Sequence, residues 1–159
     1  MLISRPERLR FGSAPLAAAM LFVLLTAAAG QPANFARTTV RIQAAAGSQV
    51  FDTQIATTPE EQELGLMYVR IFPVDQAMIF PMEPPRIAQF WMKNTFIPLD
   101  LLFIDEHGRI ACIRPGVPQS LDLISCPTVA RAVLEIGGGQ AAARHIKVGD
   151  RVVHEMFGS

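Results

Sequence analysis

Between Phe90 and Asp105 the chain sets a lysine, an asparagine and two carboxylates in a run that is otherwise mostly aromatic or aliphatic, Phe90-Trp91-Met92-Lys93-Asn94-Thr95-Phe96-Ile97-Pro98-Leu99-Asp100-Leu101-Leu102-Phe103-Ile104-Asp105. If the apolar members are buried, Lys93 and Asp100 must be paired, exposed at a rim or functional, since an unpaired buried charge costs several kcal/mol. Arg70 and Glu135 are the other charges most deeply set in apolar sequence. In a structural reading these four charges pair with one another inside the fold. In a functional reading Lys93, Asn94 and Asp100 line a pocket, where desolvation shifts their pKa values and makes acid–base work possible. Phe90, Trp91 and Phe96 offer an aromatic platform for a sugar or peptide, against the alternative that aromatics of a strand pack in a core. The candidate ligand-binding residues are therefore Arg70, Trp91, Lys93, Asn94, Asp100 and Glu135; no residue is assigned a catalytic role.

Other chemistry is weakly supported. Met67, Met78, Met82, Met92 and Met156 carry thioethers that suit cuprous ion, but methionine is a common core filler and strand packing explains Met78 and Met82. His107, His145 and His154 lie apart, with no zinc-binding spacing, and Ser120 and Ser125 lack a nucleophile signature. Gly137-Gly138-Gly139 lacks the Lys and Ser/Thr of a phosphate loop and reads as a turn. No metal and no cofactor is expected. Cys112 and Cys126 form either a disulfide or two buried free thiols, and export would permit the bridge.

The address comes from the N-terminus. Arg5, Arg8 and Arg10 precede an apolar run from Ala14 to Ala29 that ends in Ala27-Ala28-Ala29, the pattern of a cleaved secretory signal. The run is shorter than the roughly 20 residues of a spanning helix. No cysteine follows it, which argues against lipid attachment. Residues 1–29 are expected to be removed, leaving a flexible lead-in over 30–37 and a globular domain over 38–159 in the periplasm or outside the cell. Loss of three Arg and Glu7 leaves 11 basic against 13 acidic residues, a net charge of −2. That balance gives no electrostatic footprint for nucleic acid or an anionic membrane. About 130 residues is one domain, expected to be monomeric, with no stable span after signal removal.

The elements that must position the candidates are mostly strands. Thr38–Gln43 and Gln49–Ala56 flank a Gly47-Ser48 turn and read as a hairpin. Thr58-Pro59-Glu60-Glu61 starts a short helix with a capping box, running to about Met67 with Leu64 and Met67 inward. Ala77–Met82 is a strand whose Pro81 argues for an edge or a bulge. Ile87–Lys93 is the next, with Phe90 and Met92 on one face and Trp91 and Lys93 on the other. Leu99–Asp105 is nearly continuously apolar, as in a strand covered on both sides. Arg109–Ile113 returns beside it, and Arg114–Pro127 is a loop. Ala130–Ile136 is a strand, Gln140–His145 a short helix, and Arg151–Met156 the last strand. The expected fold is mainly β, a single-domain sandwich or barrel-like fold with one or two short helices.

Gly65-Leu66-Met67-Tyr68-Val69-Arg70, Met78-Ile79-Phe80, Phe90-Trp91-Met92-Lys93-Asn94-Thr95, Ile97-Pro98-Leu99-Asp100, Phe103-Ile104-Asp105, Leu134-Glu135 and Gly149-Asp150 occur in that order. Together they resemble the family catalogued as domain of unknown function 192, over about Val50 to Met156. The resemblance implies a compact, mainly β domain and no activity. Two positions depart from the family pattern. Ala77 stands where a glycine precedes Met-Leu-Phe, which tells against a positive-φ turn there. His145 stands where a glycine precedes Ile, so the end of the short helix is expected to differ. The function expected is an exported, non-catalytic module binding a small molecule or an envelope protein. The alternative is a small hydrolase-like envelope enzyme using Lys93 and Asp100.

Overall fold

The computed structural model describes residues 34–158. The expected signal segment and residues 30–33 of the lead-in lie outside the described residues. Nine strands, two short helices and a terminal 3-10 turn follow in order: β1 Ala36–Ala44, β2 Gly47–Ile55, α1 Pro59–Leu64, β3 Gln76–Arg86, β4 Gln89–Phe90, β5 Leu99–Ile104, β6 Ile110–Gly116, β7 Ile124–Ser125, β8 Ala130–Gly137, α2 Gln140–Ala143, β9 Arg151–Val153 and the turn Glu155–Phe157. Seven strands in the order β6-β5-β8-β3-β2-β1-β9 curl into a half-barrel, and β4 with β7 makes a small second sheet. All pairings are antiparallel except β2 with β3. A parallel neighbour needs a crossover connection, and α1 with the segment up to Gln76 supplies it. No helix among the described residues is long and apolar enough to cross a membrane.

Strand alternation divides the apolar residues between two cores. Val40, Ile42, Phe51, Ile79, Leu102, Leu134 and Val152 fill the inside of the curl. Met78, Phe80, Leu101, Phe103 and Val133 point to the outer face, where Leu66, Met92 and Phe90 cover them. All six residues of β5 are buried because both of its faces are packed, as its nearly continuous apolar run predicts. The two sheet edges meet at one end: Val152 N donates to Gly108 O at 2.7 Å and Ile110 N to Asp150 O at 3.0 Å. Gly108 is required there, since it has φ +73° and a Cβ would lie 2.8 Å from the Val152 carbonyl oxygen.

Several expected boundaries move, each for a local reason. Of Ile87–Lys93 only Gln89 and Phe90 find a strand partner. Met92 N donates instead to Ser120 O, and Thr95 N donates back to Met92 O, so the chain turns at Lys93-Asn94. Helix α1 has its capping box but ends at Leu64, where Gly65 turns the chain, and Leu66 rather than Leu64 or Met67 is the buried residue. β6 runs on through Pro115, tolerated because β6 is an edge strand. Pro81 lies in an interior strand at a register shift, so it marks a bulge and not an edge. The last strand stops at Val153, since His154 Nδ1 accepts from Met156 N and starts the 3-10 turn. Cys112 and Cys126 are bridged, which ties β6 to the chain just beyond β7.

The two family departures are resolved in the backbone. Ala77 is a buried strand residue with an ordinary φ. His145 has φ +56° and closes α2: His145 N donates to Ala142 O and Ile146 N to Ala141 O, the paired bonds of a Schellman motif. Histidine thus occupies the left-handed position that glycine takes without steric cost. His145→Gly is expected to raise stability by about 0.5–1 kcal/mol in urea denaturation, while His145→Val should lower it.

Candidate functional site

Glu135 sits in the middle of β8, paired with Met78 of β3 on one side and Leu101 of β5 on the other. Paired residues share a face, so its carboxyl points with Met78 and Leu101 into the outer layer. Helix α1 and the segment behind it lie over this face. They are held there by Gln62, whose Nε2 donates to Ala56 O at 3.2 Å and to Pro81 O at 3.0 Å. Gly65 has its Cα against the Phe80 ring, where a Cβ would sit 3.3 Å from the ring edge. Between sheet and covering segment remains an open cavity of about 150 Å³. Leu66, Met67, Phe80, Met82 and Phe90 line it, Thr95 and Glu135 bring polar groups into it, and Glu63, Arg86 and Trp91 also border it.

Glu135 is 5% exposed. Among the described residues no hydrogen-bond donor or cation meets its carboxyl, and burial alone pushes its pKa from the ordinary 4.5 up to about 8. At neutral pH it therefore carries a proton, with one O–H donor and one carbonyl acceptor side by side.

One wall of the cavity is locked by a reciprocal clamp. Tyr68 and Asn94 both have left-handed backbone, φ 65° and 57°. Tyr68 N donates to Asn94 O at 2.8 Å, and Asn94 Nδ2 donates to the Tyr68 hydroxyl at 3.0 Å. Asparagine tolerates this conformation; for tyrosine it costs on the order of 1–2 kcal/mol, which the clamp must offset.

The six candidate residues do not form one cluster, and the expected mutual pairing of the charges is not what the structure contains. Lys93 is exposed, with Nζ 5.0 Å from the centre of the Trp91 ring. Arg70 is exposed, its guanidinium 4.6 Å from the centre of the Phe96 ring. Asp100 pairs with Ile136, so it points to the inner face, where its Oδ2 accepts from Ala141 N at 2.9 Å. Lys93, Asn94 and Asp100 do not line the cavity; Trp91 and Glu135 do. The aromatic platform is likewise divided. Phe90 packs edge-on against Phe80 and Phe103, Trp91 is 44% exposed, and Phe96 meets Tyr68 edge-on at 6.3 Å. Leu66, Phe80, Met82, Arg86 and Thr95 escaped sequence reasoning, because only long-range strand order brings them to Glu135.

The family model for domain of unknown function 192, described as Uncharacterized ACR, COG1430, matches residues 40–154. The chain belongs to this family. No curated protein matches it. Two solved structures share the fold. A protein of unknown function from Novosphingobium aromaticivorans DSM 12444 is 36% identical, with TM-score 0.75, covering 78% of this chain and 90% of its own. A candidate transcription regulator from Sinorhizobium meliloti 1021 is 33% identical, with TM-score 0.76, covering 79% of this chain and 99% of its own.

The raised pKa of Glu135 fixes a pH dependence for this family member. Between pH 4.5 and about 8 the folded chain holds a proton that the unfolded chain has released, so stability falls as pH rises through that window and levels off above it. Glu135→Gln removes this term. Its stability relative to the native chain should grow by roughly 3 kcal/mol from about pH 4.5 to about pH 7 in urea denaturation, and a pH-independent difference would contradict the assignment.

Proposed function

We propose that this chain is an exported, non-catalytic binding module of the cell envelope, acting as a monomer, that takes a small ligand in the cavity over Glu135. The observation that carries this reading is the carboxyl of Glu135, buried without a partner and bordering an open cavity. A polar group serving only the scaffold is normally satisfied by protein, and a buried one left open to a cavity is free to meet a ligand. Export is supported by the basic and apolar pattern of residues 1–29 and by the Cys112–Cys126 bridge, which persists in oxidising compartments. Binding is favoured over hydrolysis because Lys93 and Asp100, the pair that acid–base chemistry would need, share no cavity.

Glu135→Met tests the reading because it separates stability from binding. Removing the unpaired carboxyl should stabilise the fold by on the order of 1–3 kcal/mol at neutral pH. Metabolites that raise the melting temperature of the native chain should lose that effect on the variant. A variant that melts lower than the native chain, or ligands that stabilise both equally, would make the carboxyl part of the scaffold.

A further inference from the structure

Resting on that reading, we propose that the end of the ligand reaching Glu135 is an uncharged amide or lactam edge, a carbonyl beside an N–H, carried on a small flat apolar group. Three observations point to this chemistry. The carboxyl has apolar lateral neighbours on both adjacent strands, Met78 and Leu101, and no cation among the described residues. In such surroundings the proton stays on, and a neutral carboxyl offers one donor and one acceptor about 2.2 Å apart, the spacing of the two oxygens of a carboxyl group. A ligand carrying only an acceptor satisfies half of this pair; a primary amide or lactam satisfies both, and a buried polar group left unpaired costs about 1–3 kcal/mol.

The charges around the cavity act against the two ionic alternatives. Glu63 and Arg86 are the only charged residues besides Glu135 on its lining, and Lys93 lies just outside, over Trp91. An ammonium ligand would lie beside Arg86 and would have to strip the proton from Glu135. An anionic ligand would meet a carboxyl at the buried end with no cation there to neutralise it. The size of the group is set by the space: a cavity of about 150 Å³ has room for a benzene-sized ring. Phe80 and Phe90 supply aromatic surface, and Met67 and Met82 supply adaptable thioethers.

Heteronuclear NMR titration of the oxidised chain with three probes of equal ring size tests this. The γ-lactam pyrrolidinone presents both groups, cyclopentanone presents the acceptor alone, and pyrrolidinium presents a cation. Pyrrolidinone should shift the amides of Gly65 and Leu66 and the indole of Trp91, and bind roughly 10-fold tighter than cyclopentanone, as the loss of one hydrogen bond to a buried group predicts. Glu63 and Arg86 are the other charged groups on the lining, and Lys93 lies over Trp91. For a group titrating at about 8, affinity should therefore fall about 30-fold from about pH 6.5 to about pH 9.5. Glu135→Gln should keep the binding and lose the pH dependence, because a carboxamide carries the same donor and acceptor pair. Pyrrolidinium binding at the same residues and tightening as pH rises would overturn the amide assignment while leaving the cavity as a binding site. No probe shifting Gly65, Leu66 or Trp91 would overturn both.

Discussion

Strand β5, nearly all of β8 and β3 as far as Met82 are packed on both faces, and the rest of the structure follows from that constraint. The curl of the sheet closes over one face and α1 with residues 65–72 and 88–99 covers the other. A polar side chain on these strands has three outcomes: it finds a backbone partner, it gives up its charge, or it reaches a cavity. Asp100, at the end of β5, takes the first by accepting from Ala141 N. Glu135, in the middle of β8, takes the second and third together. The charges that sequence alone places in the same dilemma, Lys93 and Arg70, escape it because the chain turns and carries them to the surface, where each lies over an aromatic ring.

That turn is also what holds the cavity open. Asn94 adopts a left-handed conformation and brings its carbonyl and amide onto Tyr68, whose own backbone is forced into the same region. The segment 65–68 and the segment 91–95 are thereby fixed relative to each other, while Gln62 fixes α1 to the bulge at Pro81. If either tie were absent, Leu66 and Met67 could settle onto Glu135 and fill the space. Packing the outer layer more tightly would gain dispersion and apolar burial, and the observed geometry forgoes that gain.

Elements with local signals were legible in the sequence. The capping box at Thr58, the hairpin around Gly47 and the nearly continuous apolar run of β5 each rest on residues within a few positions of one another, and each is present. The β-rich, sandwich or barrel-like class was read from the succession of strand segments with regularly placed turns and few helical residues. The candidate site was legible only in fragments. Glu135 stood out as a carboxylate among β-branched and aliphatic residues, and Trp91 as a lone indole. Their meeting depends on the order β5-β8-β3 and on a helix laid across it, which involve residues more than forty positions apart. The pairing assumed for Lys93 and Asp100 failed for a related reason. They are only seven positions apart, but a left-handed turn and the alternation of β5 send them to opposite sides of the sheet.

The energetics bear on why such a carboxyl would be kept. Holding Glu135 at a pKa of about 8 against 4.5 in the unfolded chain makes the fold roughly 3 kcal/mol less stable at neutral pH than it is below pH 4.5. A domain of this length has a net stability on the order of 5–15 kcal/mol, so the loss is a considerable share of the whole. Pairing the group with an arginine would not recover it, since burying a second charge brings its own desolvation cost. A hydrogen-bonded neutral partner would, because a protonated carboxyl needs only one acceptor and one donor and no counter-charge. Among the described residues that partner is missing, and the space beside the carboxyl is an open cavity bordered by rings and thioethers together with Gln62, Gln89, Arg86 and Thr95. The stability deficit and the cavity are thus complementary: a neutral group that enters the cavity can pair with the Glu135 carboxyl.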